Sequence, residues 1–410
     1  MTKLRFKHMT AAGTCVLLLI GISMAWAQEY TSVREVRQDE AVSRDFNLQG
    51  EYLAETNNGK SGIQLIADGG GKFRYVYYLG GLPGAGWNTG DFRMLGTVVV
   101  DGDNGLTFKA EKSFVNGNER AIDNFPAINA TWKSEQPQRP QGQAGQGGQR
   151  QGQGQAGNRP QGQGFGVPGV TIDIKIRDTD VTFTKTQRRS DTLGARAPAG
   201  AVVIFDGTNV DMFEPGARIN EFQMPAVGQG GGNRPQGQGQ GQGQRLAGFG
   251  NTLWAEAAAK PFEQRPYTLH VEFMLSYMPN ARGQARSNSG VYIDEAYECQ
   301  VLDSFGLELK SDECGGFYSI NAPSVNMCFP PLTWQTYDFD VTPPKYDADG
   351  KKTVNARITV KHNGVVIHDD IELPKETPGR KPEANEPRGV YLQGHGNKVQ
   401  YRNIWLKYND

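Results

Sequence analysis

The chain has no long apolar run. Its longest, Cys15 to Met24, is about half of the roughly 20 residues that a bilayer-spanning helix needs. It also has no excess of charge, since 43 Lys and Arg against 44 Asp and Glu leave a formal net charge of −1. Neither nucleic acid nor an anionic membrane surface is implied as a partner. Cysteine is scarce, at four residues in 410, and no C-x-x-C pair occurs, which removes the redox and zinc sites of that spacing. A sustained 3.6-residue apolar period is missing beyond the N-terminal segment, although Leu253 to Lys260 could form one short helix. What remains is an all-β reading.

Lys3, Arg5 and Lys7 precede the apolar run with no acidic residue among them, and Ala25-Trp26-Ala27 stands before Gln28. This is the pattern of a secretory signal peptide over residues 1–27, so the expected location is periplasmic or extracellular, with no membrane span. Cys15 begins the apolar run instead of marking its end, so no lipid anchor is expected. Without these three positive charges the remainder carries −4. Three cysteines are left, Cys299, Cys314 and Cys328. Cys314 and Cys328 flank a hairpin pattern and could bridge in an oxidising compartment or stay free. Cys299 reads as a small buried hydrophobe.

Two tracts, 136–164 and 228–244, consist almost wholly of Gly, Gln, Pro, Arg and Asn, and both contain Gly-Asn-Arg-Pro-Gln-Gly-Gln-Gly. Such composition buries no apolar surface, and disordered insertions are expected. More than 300 residues lie outside these tracts and the signal segment, more than one core usually serves. The division expected is a smaller N-terminal β-domain over 28–198, of unassigned role, and a second domain over 199–410. Alternation marks strands at Arg74 to Leu79, Gly96 to Val100, Thr171 to Thr184, Tyr267 to Leu275, Tyr297 to Leu302, Ala356 to Val360 and Val399 to Leu406. Asp101-Gly102, Asn116-Gly117, Asp349-Gly350 and Asn363-Gly364 punctuate them at hairpin spacing. The glycine-rich run Gly80 to Trp87 leads into no helix, so tight turns explain it better than a phosphate loop.

Past the signal segment, every histidine (His270, His362, His368 and His395) falls in the second domain. Residues two apart on a strand share a face. Leu269, Val271, Phe273 and Leu275 therefore oppose His270 and Glu272. Tyr297, Cys299 and Val301 oppose Glu298 and Gln300, and Tyr391, Gln393 and His395 fall together. A face of carboxylate, amide, imidazole and phenol groups over an apolar core suits a carbohydrate. A solvated outer face is the common fate of such strands, so alternation alone does not decide.

Three strings, Phe205-Asp206-Gly207-Thr208-Asn209, Ser287 to Ile293 and Tyr297 to Gly306, open a series that Trp334 to Asp338, Asn355 to Val360 with Asn363-Gly364, and Leu392 to Gly396 through Tyr401 to Trp405 continue. In this order they resemble the 3-keto-disaccharide hydrolase family over nearly the whole C-terminal half. The resemblance implies a concanavalin A-like jelly-roll β-sandwich with substrate on its concave sheet. It also implies an enzyme acting on sugars or glycosides oxidised at C3, formally a hydrolase and in part a 1,2-lyase or hydratase. A non-catalytic carbohydrate-binding or adhesion module using the same face is the competing class.

The C3 ketone acidifies the C2 proton, so a base can remove it and expel the C1 substituent before water adds. A base, an enolate donor and an acid are then needed. His395 is the candidate base because imidazole titrates near neutrality, against the plainer role of filling a Gly-x-Gly turn. Glu298 and Asp303 could position it, ligate a metal or act as acid. Asn288, Gln300, Gln393, Tyr391 and Arg402 are the candidates for binding hydroxyls or the oxyanion, with a salt bridge beside Trp405 as the alternative for Arg402. No ligand spacing names a metal, so no cofactor is assigned and a divalent cation stays open.

Overall fold

A computed structural model describes residues 27–122, 126–135, 169–176, 178–220 and 251–409. The signal segment up to residue 26 and both Gly/Gln tracts lie outside the described residues.

In the N-terminal part, antiparallel strands run from Gly50–Thr56 through Gly59–Gly69, Lys72–Leu79, Arg93–Asp101, Gly105–Val115, Ile128–Glu135 and Gly169–Ile176 to Thr179–Thr186. Each pairs with the next, and the last pairs with the first, closing an up-and-down barrel. Closure removes the open edges that a flat sheet would present. Val170, Ile172 and Ile174, then Val181 and Phe183, alternate into an interior shared with Tyr52, Leu65, Phe73 and Phe108. Two helices, Val33–Gln38 and Glu40–Leu48, precede the barrel; periodicity misses them because they are too short. Capping reveals them instead, since Ser32 Oγ accepts from Glu35 N and Asp39 Oδ1 from Ala41 N.

The second part is a two-sheet sandwich. The larger sheet orders Ile219–Asn220, Thr252–Trp254, Gln400–Tyr408, Tyr267–Met274, Trp334–Thr342, Ala356–His362 and Val365–Leu373, with Val202–Phe205 also on Gln400–Tyr408. The smaller orders Ala257–Ala258, Tyr391–Leu392, Ser289–Ile293 and Tyr297–Val301. Leu269, Val271 and Phe273 from one sheet meet Val291, Ile293, Tyr297, Cys299 and Val301 from the other, all at most 1% exposed. Each such side chain contributes about 1.5–3 kcal/mol on burial. The short helix expected over Leu253 to Lys260 is not formed. That stretch gives Thr252–Trp254 and Ala257–Ala258 instead, because pairing with Gln400–Tyr408 and Tyr391–Leu392 outweighs the helix propensity of its alanines. Asn116-Gly117 and Asn363-Gly364 take the paired positive φ values of a tight hairpin.

Cys314 and Cys328 are free thiols, so the bridge left open by the sequence is not made. Both are buried beneath the smaller sheet, where Cys314 Sγ contacts Tyr337 Oη at 3.2 Å and Cys328 Sγ faces Leu302 O at 3.6 Å. Cys299 is fully buried among apolar neighbours.

His270 and Glu272 point outward as alternation predicts, yet both are 0% exposed. The segment following the barrel covers them: Gly194 N donates to Glu272 Oε1, Thr192 Oγ1 to Asp338 Oδ2, and Trp405 Nε1 to Ala195 O. His270 stacks on Trp405 at 5.1 Å, its Nδ1 lies 2.6 Å from Asp338 Oδ1, and its Nε2 lies 3.5 Å from Glu272 Oε1. Burial works to lower the imidazole pKa, but the hydrogen bonds to Asp338 and Glu272, with their charges, outweigh it and raise it. A raised value means that the stabilisation is present at low pH and fades as pH rises through the folded-state value. His270→Ala is therefore expected to cost about 3 kcal/mol in urea titrations near pH 5, because it removes the cation shared by the buried Glu272 carboxylate and the half-buried Asp338. The deficit should shrink in titrations at alkaline pH.

Candidate active site

On the outer face of the smaller sheet lies a cavity of about 210 Å³. The hairpin Ser289–Ile293 and Tyr297–Val301 builds its floor. Register sets Gly290 opposite Gln300 and Tyr292 opposite Glu298, so these four share the outward face while Val291, Cys299 and Val301 pack into the core. Gln393 is added alongside by Gln393 N donating to Gly290 O at 2.8 Å and Ser289 Oγ donating to Gln393 O at 2.6 Å.

The walls form a chain of amides. Gln300 Nε2 donates to Asn288 Oδ1 at 2.8 Å, Asn288 Nδ2 donates to Gln284 Oε1 at 2.9 Å, and Gln284 Nε2 donates to Asp312 O at 2.7 Å. Gln393 Nε2 donates to Tyr292 Oη at 3.2 Å, which donates to Pro378 O at 3.0 Å. Gln393 Oε1 is buried and lacks a hydrogen-bond partner among the described residues, which suits an incoming hydroxyl donor. Tyr292 is buried beneath the floor, and the half-buried Tyr318 brings ring surface of the kind on which a pyranose can rest.

Glu298 is the charged centre. It is 4% exposed, and desolvation lifts its carboxyl to about 7, with the Tyr292 hydroxyl acting in the opposite direction. A carboxyl at that value exchanges protons readily near neutrality. A methyl at Gly290 would lie 2.4 Å from Glu298 Oε1 and 3.0 Å from Cδ. The carboxyl thus occupies space that only glycine leaves open. Gly290→Ala is expected to keep its thermal midpoint within a few degrees, since the clash falls on the end of a flexible side chain, while turnover drops roughly tenfold from the displaced carboxyl. Circular dichroism melting and steady-state rates on the same preparation check both halves.

The structure brings Glu298, Gln300, Asn288, Gln393 and His395 to one cavity, with His395 exposed at its rim. Three candidates lie elsewhere. Asp303 is buried against Arg286, Oδ2 to Nε at 2.6 Å, next to the barrel; it lies past the end of the strand Tyr297–Val301. Arg402 belongs to the larger sheet, where it pairs with Glu272 at 2.7 Å and lies over Trp334 at 3.9 Å. Tyr391 shares the sheet but not the cavity, since the Arg380 guanidinium covers its ring at 3.9 Å and it buttresses Tyr292. Gln284, Tyr292, Tyr318 and Pro378-Gly379 complete the lining. Tyr292 was readable from its alternation with Val291 and Ile293; the others sit in loops without a period.

Among the described residues no group of three or more His, Cys, Asp and Glu converges as a metal site. Glu298, His395 and the amide oxygens of Gln300 and Gln393 are the pocket's donors to any cation.

A β-sandwich whose smaller sheet holds a single enclosed carboxyl within amide and tyrosine walls is a carbohydrate-active class of site. The chain belongs to the family described as the 3-keto-alpha-glucoside-1,2-lyase-like domain, whose model matches residues 200–407. Two solved structures of candidate glycosyl hydrolases from Parabacteroides distasonis ATCC 8503 are also similar. One is 23% identical with a TM-score of 0.39, covering 52% of this chain and 86% of its own. The other is 16% identical with a TM-score of 0.27, covering 39% and 81%. No curated protein matches the chain.

Proposed function

We propose that the protein is an exported enzyme that cleaves 3-keto-glycosides by elimination and hydration in the pocket around Glu298. Ionised Glu298 takes the proton from C2. The electron pair moves first onto the C3 oxygen as an enolate; the ketone then re-forms as the C1=C2 bond forms and the C1–O bond breaks. His395 at the rim gives its proton to the departing oxygen. Water then adds at C1 while a proton returns to C2, leaving the free 3-keto sugar. The amides of Gln300, Asn288 and Gln393 hold hydroxyls and the developing oxyanion.

This gives Glu298, not His395, the task of base. The supporting observation is the enclosure of Glu298 on the pocket floor with a carboxyl near 7, against the exposed position of His395. Export rests on the Lys3-to-Ala27 pattern, and a jelly-roll order of strands is the family expectation for the sandwich. Incubation with a 3-keto-glucoside, followed by chromatography for released aglycone and 2-hydroxyglycal, tests the reading. Sugar binding without turnover would turn the case to a binding module.

A further inference from the structure

The barrel does not stand apart from this pocket. Its outward residues Ile66, Val76, Tyr78 and Trp87 belong to the sandwich's own apolar core, and Tyr277 of the sandwich is buried in the barrel's. Two acidic side chains N-terminal to the sandwich reach loops that carry pocket residues.

Glu29 is the first. Its Oε1 accepts from the Lys398 backbone N at 2.5 Å and from Ser276 Oγ at 2.6 Å. Lys398 ends the loop that holds His395, and Ser276 Oγ is bonded to Ser287 Oγ at 2.9 Å, one residue before Asn288. The neighbouring chain is fixed as well: Tyr30 and Tyr277 exchange both backbone hydrogen bonds, and Gln400 Nε2 donates to Thr31 O at 3.1 Å. Within the loop, Asn397 Oδ1 accepts from Asn288 N at 2.8 Å.

Asp68, at the barrel's hairpin before Gly69, is the second. Three guanidiniums surround it: Arg74 at 3.0 Å, Arg282 at 3.2 Å and Arg286 at 3.8 Å. Its carbonyl also accepts from Arg282 Nη2 at 2.8 Å. Arg282 and Arg286 flank the turn Gly283–Ala285, which carries Gln284. Arg286 is 2% exposed, and its two terminal nitrogens have no hydrogen-bond partner among the described residues. Their charge is thus balanced by Asp68 and Asp303 through proximity. The approach is close enough that a methyl on Gly69 would fall 2.2 Å from Asn280 Oδ1.

We propose that the N-terminal part is a brace for the pocket, with Glu29 and Asp68 as positioning residues, Glu29 for the His395 loop and Asp68 for the Gln284–Asn288 wall. The inference rests on the reading of the pocket as catalytic. It predicts a division between kinetic constants. Glu29→Ala lowers kcat several-fold with KM nearly unchanged, because the proton donor is loosened. Asp68→Ala raises KM several-fold with kcat nearly unchanged, because the amide wall that holds hydroxyls is loosened. Lys133→Ala, which breaks an exposed barrel ion pair to Asp173, is the control and changes neither.

The test is steady-state kinetics on a 3-keto-glucoside with the full chain from Gln28. Hydrogen exchange at residues 279–288 and 394–398 is measured on the same three variants. Faster exchange that is largest at 394–398 in Glu29→Ala, with a smaller rise at 287–288, and largest at 279–288 in Asp68→Ala supports the brace even if the wild type shows no turnover, in which case only the catalytic reading has failed. Exchange in both loops indistinguishable from Lys133→Ala overturns the brace, as does a fall in kcat and a rise in KM of equal size in both variants, which is the mark of general destabilisation.

Discussion

Glu298→Gln is expected to lower turnover by about 10³- to 10⁴-fold, the upper range for loss of a general base, and at the same time to make the fold more stable above neutrality. The two effects share one cause. Desolvation lifts the folded-state pKa from 4.5 to about 7, so holding the group ionised in the folded chain costs free energy. The sign follows from linkage: a raised folded-state value gives stabilisation that is complete below the unfolded value and lost as pH climbs through about 7. A neutral amide escapes that loss. The variant should gain up to about 3 kcal/mol over wild type at pH 9 and nothing near pH 4. Denaturant midpoints at the two pH values measure this, and equal midpoints at pH 9 would show that Glu298 is not held out of water. In the wild type, kcat/KM should fall on the acid side as pH drops below about 7 and the base becomes protonated.

His395→Ala is expected to lower turnover by about 10²-fold on an alkyl 3-keto-glycoside, while on a nitrophenyl analogue the loss should fall below about tenfold. A departing nitrophenolate needs no proton, whereas an alkoxide does. The fold should be untouched, since His395 is exposed and contributes little packing. An equal loss with both leaving groups would place His395 in binding or in base chemistry and return the donor's role to another group.

Period-two alternation made the hairpin of the pocket legible. Tyr297, Cys299 and Val301 against Glu298 and Gln300 is a pattern that admits one burial, because one residue of slip would bury the carboxyl and amide in the core. The same logic set His270 and Glu272 outward correctly, but it could not show that residues 190–195 would cover them, since that cover comes from a chain segment far away in sequence. Arg402 takes the salt-bridge alternative left open by the sequence, with Glu272 as its partner, for a related reason. The strand Gln400–Tyr408 carries an irregularity near Asn403, which has a φ of +45°, and belongs to the sheet remote from the pocket. Gln284 and Pro378-Gly379 were invisible because loop residues obey no period and are placed by long-range hydrogen bonds, such as that of Glu298 N to Thr377 Oγ1 at 2.8 Å. Asp303 was a candidate as a carboxylate of the Tyr297-to-Gly306 string, and only the fold reveals Arg286 and the barrel beside it.

The most direct test of the account is the fate of the C2 hydrogen. A 3-keto-glucoside deuterated at C2 is incubated with the enzyme in ordinary water, and the released sugar is examined by mass spectrometry and proton NMR. Removal of that hydrogen by Glu298 predicts product carrying solvent hydrogen at C2, a primary isotope effect on kcat/KM where proton abstraction limits the rate, and loss of both cleavage and exchange in Glu298→Gln. Cleavage that retains the C2 deuterium would mean displacement at C1 without elimination, and would contradict the mechanism assigned to this pocket.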